Sequence, residues 1–508
     1  MRLLNTRTLR LVDKPSGVRF YATLSHRWTD DEVTFDDIAD VRKARRQAGW
    51  TKIFDFCKKA HAHGYDYAWV DTCCIDKKSS SELSEAINSM FNWYRGADVC
   101  YAYLADYEHG AVPEEQLPKC EWFTRGWTLQ ELLAPDNVRF YDKMWAYIGD
   151  KESFAPLISR ITSIPEPVLS GKEALSTYSV AQRMSWAASR VTTRIEDTAY
   201  CLLGLFDINM PLLYGERHKA FFRLQKEILE NVHDLTILAW NLEGSGNWNH
   251  DSVLARSPLD FKSSSDVREL DMGSNRCSVS SQGVHTDNTI WMDGTSHQTR
   301  YYMAVGARET SFETIAVPLE MKGPNRFERP SSAMLLDMND AEMWERKVKS
   351  DISTGVYLFT KPSLLATQLT HIEVPLELKV DSAYPKNLWH DQRQSFFYSG
   401  APGVKAVFLS GSFAGQVVGI VLVILDFHGV TKVFETRSCE PQILRTLRSR
   451  EQDGWEWEEF ENEYPGLKKV GRECLVQSGG QEFLVGATSR RKPRDWMHNV
   501  FISVEELA

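Results

Sequence analysis

A carboxylate and an indole stand four residues apart in Phe123-Thr124-Arg125-Gly126-Trp127-Thr128-Leu129-Gln130-Glu131-Leu132-Leu133-Ala134-Pro135. On a helix this spacing puts Trp127 and Glu131 on one face, one turn apart. Leu129, Leu132 and Leu133 supply an apolar side, and Pro135 marks the end of the turn. A carboxylate against an indole wall is poorly hydrated, and poor hydration is a common way to make it reactive. The plain alternative is a helix with Trp127 in the core and Glu131 in water.

Other candidates follow predicted strands. Ser25-His26-Arg27-Trp28 comes after Phe20–Leu24, and Asp71-Thr72-Cys73 closes the Tyr67–Asp71 strand. In an open parallel sheet, ligands bind beyond the carboxyl ends of the strands. The planar fork of Arg27 suits a phosphate. Trp28 and Trp127 can stack on flat rings. Together these residues suggest a nucleotide pocket. Cys73 with His26 and Asp71 could be drawn as a thiol-hydrolase triad, but cysteines abutting a core strand are commonly buried and inert. Cys57, His61 and His63 lack the paired spacing of structural zinc, and His63 leaves the shared helical face, so no metal site is expected. Asp76, Lys77 and Glu85 read as a capped, solvated helix start.

These residues need a scaffold, and the first 150 alternate strand and helix signals as a parallel α/β sheet does. Further strands are expected at Asp98–Leu104 and Val138–Tyr141. Residues 51–63 predict a helix with Ile53, Phe54, Cys57 and Ala60 on one face, and Thr29–Ala48 a loop with some helix. The clearest helix follows Ser79, which stands at capping-box spacing from Glu82. Leu83, Ala86, Ile87, Met90, Phe91 and Tyr94 recur at helical intervals, and Gly96 stands where a C-cap belongs. Residues 151–235 read as a helical extension, strongest over Ile195–Phe206 and Gly215–Asn231. From 236 to 508 the period becomes two. Strands are expected at Thr236–Trp240, Thr289–Met292, Tyr301–Val305, Gly355–Thr360, His371–Leu376, Ala406–Leu409, Val417–Leu425, Lys432–Glu435 and Glu482–Val485. The pattern is that of a β-rich sandwich or barrel.

The chain has 508 residues, which predicts two or three domains. A formal charge of -10 and the lack of a basic stripe argue against nucleic acid or an anionic membrane as partner. Arg490, Arg491, Lys492 and Arg494 read as a solvated loop. Residues 1–13 show no secretory h-region, and Val417–Leu425 is too short to span a bilayer. Nine unevenly spaced cysteines fit reduced thiols and a cytoplasmic setting.

Three stretches in order resemble the blocks of the fungal heterokaryon-incompatibility (HET) domain. They are Tyr21–Trp28, Tyr67–Asp76 and Arg125–Leu132. Met184–Ala187 and Leu212–Glu216 resemble the helical extension of many such proteins, while Thr29 replaces the usual Gly. The HET domain is in turn distantly similar to TIR domains, which implies a TIR- or flavodoxin-like sheet. Trp127–Leu132 resembles the TIR Trp-Cys-x-x-Glu-Leu helix, with Thr128 replacing Cys. That likeness implies that Glu131 cleaves the nicotinamide–ribose bond of NAD. NAD would be a substrate, with no cofactor needed, and Ser25, His26, Arg27, Trp28, Asp71, Thr72 and Trp127 would bind it. The resemblance also implies a role in fungal cell death, through self-association or a partner incompatibility protein. A non-enzymatic signalling module that self-associates is the competing expectation.

Overall fold

The computed structural model describes residues 1–13, 20–241 and 252–270, and from 277 onward a set of strands with some of the residues between them. Its first layer is a seven-stranded mixed sheet. The strands are β1 (Arg2–Asn5), β2 (Leu11–Asp13), β3 (Ala22–His26), β4 (Tyr67–Trp69), β5 (Val99–Tyr103), β6 (Val138–Tyr141) and β7 (Tyr147–Asp150), in spatial order β2-β1-β4-β3-β5-β6-β7. The central four are parallel, with Ala22 opposite Ala68 and Val99, and Cys100 opposite Val138. Every residue of β3 is buried, as a central strand covered on both faces requires. The chain leaves β3 to one side for β4 and then crosses to the other for β5. The crevice at the carboxyl end of β3 therefore lies at a topological switch point.

The sheet is not purely parallel. β1 and β2 form an antiparallel hairpin on one edge, and β7 pairs antiparallel with β6 on the other. These strands have three or four residues each, too short for a periodic signal.

Helices cover the sheet. In Trp50–Ala62 the buried face is Ile53, Phe56, Cys57 and Ala60, while Phe54 is exposed, because Phe56 and not Phe54 lies one turn from Ile53. Ser80–Arg95 starts at Ser79, whose hydroxyl accepts from Glu82 N, and ends at Gly96. The Glu82 carboxylate does not complete a capping box. It accepts from Asp76 N at 2.8 Å and pairs with Arg2, which ties the helix to β1. The 29–48 segment contains two short helices, Phe35–Ile38 and Val41–Ala44.

The extension contains helices at Ala155–Thr162, Val180–Ser185 and Lys219–Asn231. The continuous helix expected over Ile195–Phe206 is instead a short helix, Asp197–Tyr200, and a 3₁₀ turn, Leu203–Leu205. Packing breaks it. Gly204 lies so close to the Ser80–Arg95 helix that a Cβ there would sit 2.1 Å from Phe91 Cβ. The strand expected at Thr236–Trp240 is a 3₁₀ turn over Leu235–Leu238, with Asp234 Oδ1 accepting from Thr236 N at 2.8 Å. A short buried apolar run does not by period alone distinguish strand from turn. Hydrogen bonds from Val180 N to Asp234 and from Ser179 Oγ to the Val267 carbonyl join the extension to residues 234–267.

The later chain is strand-rich, with sheets of ten, six and four strands. The expected strands appear lengthened as Gln298–Arg308, Val404–Phe413, Gln416–Leu425, Val430–Thr436 and Gln481–Arg491. Others are Ile290–Thr295, Val356–Leu358 and Leu369–Glu373. Thr289, the ends of the 355–360 expectation and residues 374–376 lie outside the described residues. Arg490 and Arg491 belong to a strand rather than a loop, and Lys492 and Arg494 lie outside the described residues.

Candidate functional site

The Trp127–Glu131 unit forms, but its helix is shorter than expected. Glu121–Thr124 is a 3₁₀ turn, Arg125 pairs with Val191 in an isolated bridge, and the α-helix runs only from Thr128 to Leu133. Gly126 is required at the crossing. A Cβ there would lie 2.4 Å from Thr192 Cγ2 and 3.2 Å from Cys201 Sγ, while Gly126 N donates to the Val191 carbonyl at 2.9 Å. Trp127 is the N-cap residue with helical φ and ψ, so the one-turn spacing to Glu131 is kept.

Glu131 is 5% exposed. Its carboxylate accepts a hydrogen bond from Ser25 Oγ, which itself accepts from Trp122 Nε1 at 2.8 Å. Burial, reinforced by the nearby Asp71 carboxylate, pushes the Glu131 pKa up to about 8, against the opposing pull of Ser25, Arg125 and Arg190. Arg190 is held beneath the helix start, with Nη1 donating to Thr128 Oγ1 at 3.0 Å and to the Arg125 carbonyl at 2.9 Å. At the other end of the helix the buried Lys151 ammonium donates to the carbonyls of Leu132 and Pro135. Cations are favoured at that terminus.

Glu131 faces a cleft of about 310 Å³ beyond the end of β3. His26, Trp28 and Asp71 line one side. Trp28 Nε1 donates to Asp71 Oδ2 at 2.9 Å, and His26 Nε2 lies 3.5 Å from Asp71 Oδ1. Burial depresses the His26 pKa well below the ordinary imidazole value and raises that of Asp71, so both lean toward neutrality. Both His26 ring nitrogens and Asp71 Oδ1 are buried without a hydrogen-bond partner, so polar atoms are left over at this wall. Leu83, Ile87 and Met90 of the Ser80–Arg95 helix give an apolar patch. The remaining wall comes from the extension, through Thr193, Arg194, Asp197 and Tyr214. Asp197 ties that wall together by accepting from Tyr214 Oη at 3.0 Å.

The heterokaryon incompatibility protein (HET) family model matches residues 21–116, which hold β3, β4, β5 and the loops around the cleft. The chain carries a HET domain. Over 227 residues it is 48% identical to the vegetative incompatibility protein HET-E-1 of Podospora anserina, a match covering 42% of this chain and 17% of that relative. The chain thus spans less than a fifth of the relative's length. No solved structure matches.

The HET cleft gathers some of the expected site residues and leaves others aside. His26, Trp28, Asp71, Trp127 and Glu131 all line it. Ser25 is buried behind Glu131 as its hydrogen-bond donor. Arg27 is not in the lining and pairs on the surface with Glu121. Thr72 is fully enclosed, also outside the lining. Lys77, expected as part of a solvated helix start, belongs to the cleft, with its ammonium 3.4 Å from the centroid of the Trp28 ring. That cation covers one face of the indole. Hydrogen bonding to Cys74, aided by burial, pushes the Cys73 thiol pKa up, the opposite of what a nucleophile needs. The sequence alone did not single out Arg125, Arg194, Asp197 and Tyr214. Arg125 stands inside the Phe123–Pro135 stretch, and Tyr214 inside Leu212–Glu216, so both signals were present without an assignment.

Proposed function

We propose that the HET domain splits the bond between nicotinamide and ribose in NAD, with Glu131 as the acting carboxylate. The observation that carries this reading is Glu131 itself, 5% exposed on the wall of a cleft and held by Ser25 beside Trp127. The glycosidic bond breaks with its electron pair leaving on nicotinamide, which departs neutral. The ribose becomes oxocarbenium-like, and a carboxylate beside it stabilises that charge. Water then adds at C1′ and releases a proton, leaving ADP-ribose. A pyridinium cation entering the site favours the ionised form of Glu131, which offsets its raised pKa.

The cleft is at the small end of small-molecule sites, which run from roughly 300 to 1,000 Å³. It suits the nicotinamide nucleoside end of NAD, with the rest of the dinucleotide extending outward. Through this reaction the chain acts as a fungal incompatibility protein, a role that the name of its Podospora relative supports, and brings about cell death. A second copy of the chain or another incompatibility protein is the partner that triggers it. Among the described residues no helix is long and apolar enough to cross a membrane.

Incubating the purified chain with NAD and measuring released nicotinamide tests the reading, with Glu131→Gln as comparison. Turnover that disappears in the variant is expected, rising steeply with protein concentration if assembly gates it. No turnover at any concentration would leave a signalling module without chemistry.

A further inference from the structure

We infer that Arg125 and Arg194 form the seat for the substrate's pyrophosphate, so that the extension beyond residue 150 supplies half of an anion clamp at the mouth of the HET cleft. This rests on the NAD reading and specifies how the dinucleotide lies. Both guanidiniums line the cleft, Arg125 half-buried and Arg194 exposed, as residues at a mouth should be. They come from different elements brought together by the Arg125–Val191 bridge. Neither forms an ion pair among the described residues. Arg125 Nη2 reaches only the neutral Thr193 hydroxyl at 3.4 Å, and the Arg194 guanidinium lies over the Tyr214 ring, 4.6 Å from its centroid.

Of the other cations near the first loop, Arg27 lies outside the lining and Lys77 lies within it. Arg27 is paired with Glu121, and the Lys77 ammonium sits on Trp28. The cleft therefore divides by charge. Glu131, Asp71 and Asp197 supply the carboxylates of the lining, where a cationic ring is accommodated. Arg125 and Arg194, neither in an ion pair among the described residues, stand at the rim, where a dianion is accommodated. Paired arginines are suited to phosphate because each presents planar, fixed donors. A ligand carrying a pyridinium at one end and a pyrophosphate in the middle matches this division.

Two probes separate the parts. ADP-ribose has the pyrophosphate without the pyridinium, and nicotinamide riboside has the pyridinium without any phosphate. Binding of each to the full chain is measured by calorimetry for wild type, Arg194→Gln and Arg125→Lys, with melting curves confirming that the variants fold. Arg194→Gln is expected to weaken ADP-ribose by roughly tenfold to a hundredfold, the size of a lost charge-assisted contact, and to leave nicotinamide riboside within about twofold. Arg125→Lys, which keeps charge but loses the fork, is expected to weaken ADP-ribose less than Arg194→Gln does. ADP-ribose binding unchanged in folded Arg194→Gln, or both probes weakened equally, overturns the clamp. Loss on Arg27→Gln with Arg194→Gln intact also overturns it, by returning the phosphate to the first loop. If wild type binds ADP-ribose through these arginines yet releases no nicotinamide from NAD, the clamp stands and the hydrolase reading falls.

Discussion

Replacing Glu131 with Gln keeps an acceptor for Ser25 Oγ and removes only the charge. A carboxylate about 4 Å from a developing cation, at an effective dielectric near 20, stabilises it by roughly 4 kcal/mol. That corresponds to about a thousandfold in rate when the carboxylate is ionised. With a pKa of about 8, only about a tenth of Glu131 is ionised in the free protein at pH 7, and about half at pH 8. The wild type to Gln ratio of kcat/KM is therefore expected near a hundredfold at pH 7 and about 500-fold at pH 8, because kcat/KM reports ionisation of the free enzyme. Nicotinamide release followed from pH 6 to 9 in both proteins gives the two profiles. Wild type should rise through a limb near pH 8, and the Gln variant should be flat there. A Gln variant that keeps the limb, or a ratio that does not change with pH, would refute the assignment of that charge to Glu131.

The same substitution should raise stability. A carboxyl group whose pKa is raised by folding, here from 4.5 to about 8, favours the fold below pH 4.5, and that advantage is lost as pH climbs to 8. Glu131→Gln should thus melt at a higher temperature than wild type, with a larger gain at pH 8 than at pH 5, as calorimetry can check. Asp71→Asn removes a neighbouring charge that raises the Glu131 pKa, so the activity limb should move to lower pH; a limb that moves up would contradict the electrostatics. Gly126→Ala places a methyl 2.4 Å from Thr192 Cγ2 and should cost about 1–3 kcal/mol, read as a lowered denaturation midpoint.

Much of the site was legible because it is local. Trp127 and Glu131 sit within one helical turn, and His26, Trp28 and Asp71 follow strand ends, where binding residues collect. What escaped depends on chain segments meeting from afar. Arg194 and Asp197 enter the cleft only because residues 191–192 cross Gly126, and no spacing near residue 131 announces that crossing. Arg27 was misplaced for a finer reason. Beyond the end of β3 the direction of each side chain is set by the loop rather than by strand alternation, and this loop turns Arg27 toward Glu121. In the fold, the parallel core was visible as buried apolar runs. The edge strands were hidden by their length, and the 195–206 break by the contact of Gly204 with a helix far away in sequence.

The bridge between Arg125 and Val191 bears on how such proteins can be rearranged. The family model ends at residue 116, ahead of both Glu131 and the wall that carries Arg194. A fragment cut there would lose β6 and β7 from the sheet and keep only half a cleft. Recombination that moves this module between architectures must carry the segment from β3 through Tyr214 as one block, because a crossover between 132 and 190 would pair one parent's acid with another parent's rim.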